Sequence, residues 1–342
     1  MRAVVLGDEP PALVTSVVAE PEPAADEVVL AVSACGICGS DLHVASVIGA
    51  PGTILGHEIA GTVAALGSAV DPAAWHIGQP VVARPFAGCG TCRYCVAGRP
   101  DHCAQFALLG LNRPGGFAEL VAVQARELYA LPATLVGPDQ ALVEPLAIAR
   151  RALRRTGLVP GETVGVIGAG PIGLAVITWA RRLGAGTIVV SDPAPDRRQL
   201  GLAMGADVAV DPAVDDLGEA SLAATGDLPQ AVIECSGRPE QIGRAMDQAA
   251  IDGRVTVVSV CITDASIFPF TGLSKELDIR FSLYYGPEDF VDTLTALDGH
   301  GLDGDGLRID GLLTETVTLD GLPERFHRLI HEPTGGKVAV LP

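Results

Sequence analysis

From Thr163 onward the sequence is constrained to alternate strand with helix. "TVGVIG" reads as a buried strand, and "GPIGLAVITWARRLGA" as a helix opened by Pro171 and closed at Gly184. "GTIVVSD" is the next strand, "DRRQLGLAMGA" a helix and "DVAVD" a strand. "QAVIECSG", "GRVTVVSV" and "LDIRFSLYY" supply three more strands. Strands that alternate with helices imply a parallel, doubly wound sheet. From Gly286 the chain returns to a helix, "PEDFVDTLTAL", and a strand, "GGKVAVLP". Residues 1–140 differ. Short runs such as "RAVVL", "EVVLAVSA", "AGTVAAL", "PVVARP" and "FAELVAV" are separated by turn residues, which predicts an all-β unit. A chain of 342 residues, 48% of them hydrophobic, can bury the cores of two such domains.

The strand-to-helix turn "VGVIGAGPIG" places Gly168, Gly170 and Gly173 in G-x-G-x-x-G spacing. After an apolar strand and before a helix, such glycines let the backbone approach a pyrophosphate, while the helix N-terminus offers N–H donors. Asp192 ends the following strand, where a carboxylate accepts the hydroxyls of an adenosine ribose and repels a 2′-phosphate. The coenzyme expected is therefore NAD in preference to NADP. Arg197 is expected beside the same ribose, which keeps NADP as the alternative coenzyme.

Four of the eight cysteines, Cys89, Cys92, Cys95 and Cys103, fall in C-x2-C-x2-C-x7-C spacing. Closely spaced thiolates reach one tetrahedral ion, and four of them leave no open position, so this is expected to be a structural zinc site with the chemistry elsewhere. A redox pair would need one isolated CxxC. With no leader peptide expected and no apolar run of about 18 residues, the reading is a cytoplasmic protein, where disulfides are rare. A formal net charge of −18 argues against nucleic acid and anionic membranes as partners.

Upstream, "CGICGSDLH" holds Cys38, Ser40, Asp41 and His43, "GHE" holds His57 and Glu58, and "VEPLA" holds Glu144. A thiolate, an imidazole and a carboxylate from separate loops can make a three-ligand zinc site with an open position. Taken singly, each residue has a plainer reading: a small buried thiol, surface loop residues, the start of a helix.

The ordered set "CGICGSDLH", "LGHEIAG", the four-cysteine knuckle, "EPLA", "GAGPIG" and "ECSG" resembles the zinc-dependent medium-chain alcohol dehydrogenases, along nearly the whole chain. The resemblance implies a GroES-like β-rich catalytic domain, residues 1–147 and 286–342, and a Rossmann coenzyme domain, residues 148–285. It implies Cys38 and His57 as catalytic zinc ligands. Glu144 stands at the third ligand position, as in the polyol, threonine and butanediol branch. Glu58 matches a carboxylate that ligates directly or in exchange with water, so Glu58 and Glu144 remain alternatives. Ser40 and His43 match the proton relay, and Asp41 a carboxylate that orients an imidazole ligand. Coenzyme contacts extend to Pro171, Ile172, Cys235 and Val260. Cys35 matches nothing catalytic. The expected cofactors are one catalytic and one structural zinc with NAD.

The function implied is hydride transfer between an alcohol and NAD. Val44 and the pair Tyr284–Tyr285 depart from the polyol pattern, so Val44, Phe106 and Tyr285 are expected to form an apolar pocket for a secondary alcohol, vicinal diol or hydroxyketone. A polyol, sugar or L-threonine dehydrogenase is the alternative. A zinc-free reductase would lack Cys38, the GHE pair and the knuckle, and a non-catalytic NAD-binding protein would have a broken ligand or relay set. The apolar strand "DIRFSLYY" would lie at a sheet edge, which family members pair across a two-fold axis, implying a homodimer or homotetramer.

Overall fold

The computed structural model describes residues 1–9, 11–47, 49–299, 306–332 and 335–342. By contact the chain divides into two units, Met1–Glu144 with Glu315–Pro333 and Lys337–Pro342, and Pro145–Thr314 with Thr334–Gly336.

In the first unit a seven-stranded sheet runs in the order Leu313–Thr318, Lys337–Leu341, Glu27–Gly36, Glu58–Leu66, Pro80–Ala83 and Leu128–Ala130, with Leu120–Gln124 also paired to Glu27–Gly36. The strand Glu27–Gly36 is buried along almost its whole length, which explains its near-continuous apolar run. Antiparallel register sets Gly36 against Glu58, and Cys35 and Gly36 against Val340 and Ala339. Three strand ends that lie far apart in the chain therefore converge just beyond Gly36. Phe117, Leu55, Ile59 and Phe326 are among the side chains that close the core behind them.

The second unit holds six parallel strands in the order Val208–Val210, Ile188–Ser191, Val164–Ile167, Ala231–Glu234, Arg254–Val257 and Asp278–Phe281. Numbered along the chain this is 3-2-1-4-5-6, the doubly wound Rossmann order, with its switch point between the first and fourth strands. The helix Pro171–Arg182 follows the first strand; Pro171 at its start needs no N–H partner there.

The described residues 286–299 and 306–314 fall in this second unit by contact. The helix Pro287–Leu297 is held to the helix Val143–Thr156 by Arg154, which bonds Asp289 at 2.8 Å and Glu288 at 2.5 Å, and by Arg150 to Asp292 at 2.8 Å. The last strand ends at Phe281, and Tyr284 turns the chain at φ +55°, so "DIRFSLYY" is a strand only in its first half. Among the described residues no helix is long and apolar enough to cross a membrane.

Candidate active site

The convergence beyond Gly36 builds the first constellation. Cys38 follows the end of one strand, Glu58 begins the strand paired to it, and His57 precedes Glu58. The ligand atoms of Cys38, His57 and Glu58 all lie within 4.8 Å of one another. Asp41, buried in the first turn of the helix Gly39–Val47, ties the loops together. Its carboxylate accepts from the Cys38 backbone N–H at 2.9 Å and from the Gly56 N–H at 3.3 Å, and meets His57 Nδ1 at 3.2 Å. That last contact turns the other ring nitrogen, Nε2, toward the ligand group. Burial works against an imidazolium at His57, but the charge and hydrogen bond of Asp41 raise its pKa well above the ordinary value. A metal at Nε2 would displace that proton, so loading weakens as pH falls.

Glu58 is 1% exposed. One carboxylate oxygen accepts from Lys337 Nζ at 2.5 Å, and the other, Oε2, is buried with no hydrogen-bond partner. A Cβ at position 36 would fall 1.8 Å from Oε2, so glycine is required opposite the carboxylate. An unpartnered carboxylate oxygen beside a thiol and an oriented imidazole is the donor set of a zinc site. Burial works against the Lys337 ammonium, yet the charges of Glu58, Cys38 and Glu144 raise its pKa. Glu144 is itself buried but stands outside the 4.8 Å group. Ser40 Oγ is 3.5 Å from His57 Nε2, and His43, one turn along the same helix, is exposed. Cys35 is a buried thiol whose pKa is raised well above its usual value by burial, then by the charges of Asp41 and Glu58.

The second constellation brings the sulfurs of Cys89, Cys92, Cys95 and Cys103 within 4.8 Å of one another, and all eight cysteines are free thiols. Backbone N–H groups point at the sulfurs: Cys92 to Cys89 at 3.3 Å, Cys95 to Cys92 at 3.5 Å, and both Cys89 (3.4 Å) and Gln105 (3.3 Å) to Cys103. Such donors stabilise thiolates. The N–H groups of Thr91 and Cys92 lower the Cys89 thiol to about 6, while burial pushes Cys95 up to about 12. Four convergent sulfurs, with no carboxylate or imidazole in the group, fit a closed tetrahedral ion.

The nucleotide groove lies in the second unit. A cavity of about 370 Å³ is lined by Gly168, Gly170, Asp192, Arg197, Cys235 and Ser236, among others. Asp192 is anchored by the N–H groups of Ala169 (2.8 Å) and Ala194 (2.9 Å), with Arg197 at 3.8 Å. A Cβ on Gly173 would come within 1.8 Å of the Gly168 carbonyl oxygen, so the helix of Pro171, Ile172 and Gly173 packs against the loop only because glycine is there. Cys235 lines the cavity, its thiol pushed up by burial and by the charge of Glu234. Val260, exposed, follows the strand Arg254–Val257 and does not line this cavity.

The expected apolar pocket needs correction at Tyr285. This residue is 1% exposed and stacks on Phe290 with ring centroids 5.5 Å apart, a core contact that takes the whole ring. Val44 packs on the core of the first unit, and Phe106 faces Phe86 at 5.9 Å. Lys337 and Glu234 went unread in the sequence. A lysine inside "GGKVAVLP" was the one available signal, since a charge in an apolar strand needs a buried partner.

Residues 24–133 match the alcohol dehydrogenase GroES-like domain, and residues 171–298 the zinc-binding dehydrogenase domain. The chain is 32% identical to scyllo-inosose 3-dehydrogenase of Thermotoga maritima, over 94% of this chain and 88% of that one. It is also 32% identical to (R,R)-butanediol dehydrogenase of Bacillus subtilis, over 94% of each. The crystal structure of the 2R,3R-butanediol dehydrogenase from Bacillus subtilis superimposes with a TM-score of 0.88 at 30% identity, covering 100% of this chain and 99% of that one. With both metal-ligand groups and the nucleotide loop in family order, the chain belongs to the zinc-dependent medium-chain dehydrogenases, NAD(P)-dependent oxidoreductases acting on alcohols.

Proposed function

We propose that this dehydrogenase interconverts a vicinal diol or other secondary alcohol and its hydroxyketone or ketone, using NAD, at a catalytic zinc held by Cys38, His57 and Glu58. The observation that carries the reading is that a ligand atom of each of these three residues lies within 4.8 Å of the others, with Glu58 Oε2 buried and without a hydrogen-bond partner. Glu144, whose charge reaches Lys337, is the carboxylate available for exchange. A zinc ion held there would supply Lewis-acid polarisation of the alcohol oxygen, and NAD would supply the hydride acceptor. Asp41 holds His57 in one tautomer through Nδ1. Ser40 Oγ would accept the alcohol proton while releasing its own toward His43, one helical turn along, whose exposed ring hands it to solvent. Cys89, Cys92, Cys95 and Cys103 hold a structural zinc that does no chemistry. Gly168, Gly170, Pro171, Ile172 and Gly173 receive the pyrophosphate, Asp192 the adenosine ribose with Arg197 beside it, and Cys235 and Val260 flank the nicotinamide half. Asp192 disfavours a 2′-phosphate and so NADP. Support for the diol comes from the likeness to the butanediol dehydrogenase along nearly the whole chain.

Free thiols at a four-cysteine zinc site suit a reducing compartment, the cytoplasm. The apolar edge of the second unit's sheet suits a homodimer or a dimer of dimers.

The test is NADH formation by zinc-replete protein with secondary alcohols, vicinal diols, polyols, threonine and primary alcohols, and NADP in a parallel arm. Turnover of diols or secondary alcohols with NAD is expected. Polyol or threonine turnover in their place would overturn the substrate. No turnover in either direction with NAD still bound would overturn the catalytic reading.

A further inference from the structure

The chain enters the four-cysteine knuckle through the short strand Phe86–Ala87, and one turn elsewhere holds that entry at both ends. The turn is Ala125–Glu127, directly after the strand Leu120–Gln124 of the first unit's sheet. Glu127, buried, holds Arg84. Its backbone carbonyl accepts the Arg84 N–H at 2.8 Å, and its Oε2 accepts from Arg84 Nε at 2.7 Å with Nη2 2.6 Å away. Arg126 holds Gly88, the residue before the first cysteine. Its Nη2 donates to the Gly88 carbonyl and, at 2.8 Å, to Gln124 Oε1, while Nε lies 3.7 Å from Glu127 Oε1. Nη1 covers the other side of Cys89, 3.0 Å from where a Cβ on Gly90 would stand. One guanidinium therefore joins the sheet's Gln124 to the backbone on both sides of Cys89.

The hold matters because the backbone at Gly88 sits against the sulfurs. A Cβ there would meet Cys95 Sγ at 2.9 Å and the Cys103 Cβ at 3.5 Å. Gly88 cannot move inward, and moving outward it would carry Cys89 away from the other three sulfurs. The N–H groups that point at the sulfurs belong to the knuckle itself, and Phe86–Ala87 pairs with Ala107–Leu108 in a separate two-stranded sheet. These bonds shape the loop locally; Arg126 links it to the large sheet. A guanidinium suits the task, since its donors form a rigid planar fork and its charge opposes that of the thiolates.

We propose that Arg126 is a positioning residue for the structural zinc: its guanidinium fixes Gly88 against the sheet and so sets Cys89 where the four sulfurs close on one ion. This rests on the structural-zinc reading above. The Cys38, His57 and Glu58 group lies in the same unit, so a merely structural role would loosen both zinc sites alike.

The experiment follows zinc transfer from the full-length, zinc-loaded protein to a coloured chelator, for wild type, Arg126→Gln and Arg126→Lys. Cys38→Ser protein, impaired at the other site, identifies which phase of release belongs to the knuckle. Arg126→Gln removes the charge and the fork. Arg126→Lys keeps the charge, but one ammonium cannot reach Gly88, Gln124 and Gly90 together. Both variants are expected to release the knuckle zinc about tenfold faster than wild type, with release of the other zinc unchanged within about twofold. Knuckle release at the wild-type rate in either variant, or equal acceleration of both zincs, would overturn the proposal. Arg126 is half exposed, and Arg126→Lys keeps the test decisive if Arg126→Gln does not fold. Folded Cys38→Ser protein that retained no zinc would overturn the structural-zinc reading itself, a result separate from any variant at Arg126.

Discussion

Lys337 carries an ammonium, 2% exposed, within reach of the charges of Glu58, Cys38 and Glu144, and donates to both the Ile37 carbonyl (3.2 Å) and Glu58. Its positive charge offsets part of the negative charge that a zinc-binding donor set concentrates in one place. A buried pair of this kind adds little net stability over an apolar pair, but removing one partner strands the other. Lys337→Met in chelator-treated protein should therefore cost about 3–5 kcal/mol, read as a lowered denaturant midpoint. The double variant Lys337→Met/Glu58→Gln should recover much of that loss. A single variant as stable as wild type would show that Glu58 finds another partner. Asp41 acts on the same scale. One carboxylate organises Cys38, Gly56 and His57, which is why a short polar residue sits buried in the first turn of an exposed helix.

At the scale of elements, the turn from the strand Val164–Ile167 into the helix Pro171–Arg182 works by close approach. Gly173→Ala places a methyl group 1.8 Å from the Gly168 oxygen, a backbone atom that cannot rotate away. The helix must withdraw from the strand, at a cost of about 1–3 kcal/mol. The pyrophosphate cradle should open with it, so NADH binding followed by fluorescence should weaken at least about tenfold. Unchanged NADH affinity would mean that the loop does not form the cradle. The sheet of the first unit makes the complementary point. Its register alone brings Cys38, Glu58 and Lys337 together, so a shift of one residue in the pairing of Glu27–Gly36 with Glu58–Leu66 would turn the carboxylate to the opposite face.

At the scale of the whole molecule, several large apolar side chains stand exposed on the outermost strand of the parallel sheet, Asp278–Phe281, and on the segments that flank it in sequence. Phe281 is 63% exposed and Phe268 69%, with Phe270, Leu273 and Leu283 also exposed. On a chain of net charge −18, such a face can associate only by overcoming like-charge repulsion, which salt screens. Sedimentation velocity should show an oligomer that tightens with salt and that Phe281→Glu reduces to monomer. A wild-type monomer at micromolar concentration would count against the proposed assembly.

Much of this molecule was determined by the sequence alone. Strand-to-helix alternation, the glycine turn and the cysteine knuckle are local patterns, and the physics that makes them, apolar periodicity, backbone freedom and ligand spacing, acts within a few tens of residues. The order of the motifs was enough to resemble a family. What the tertiary structure decided is long-range. Lys337 meets Glu58 across 279 positions, through a register no local pattern encodes. That the Glu58 carboxylate comes within 4.8 Å of the Cys38 and His57 ligand atoms follows from the same sheet. Tyr285 reads as a pocket residue until Phe290 stacks on it. Glu234 looks like one more polar residue at a strand end until two loops fold back onto its carboxylate. In each case the side chain's role depends on a neighbour that only the folded chain supplies.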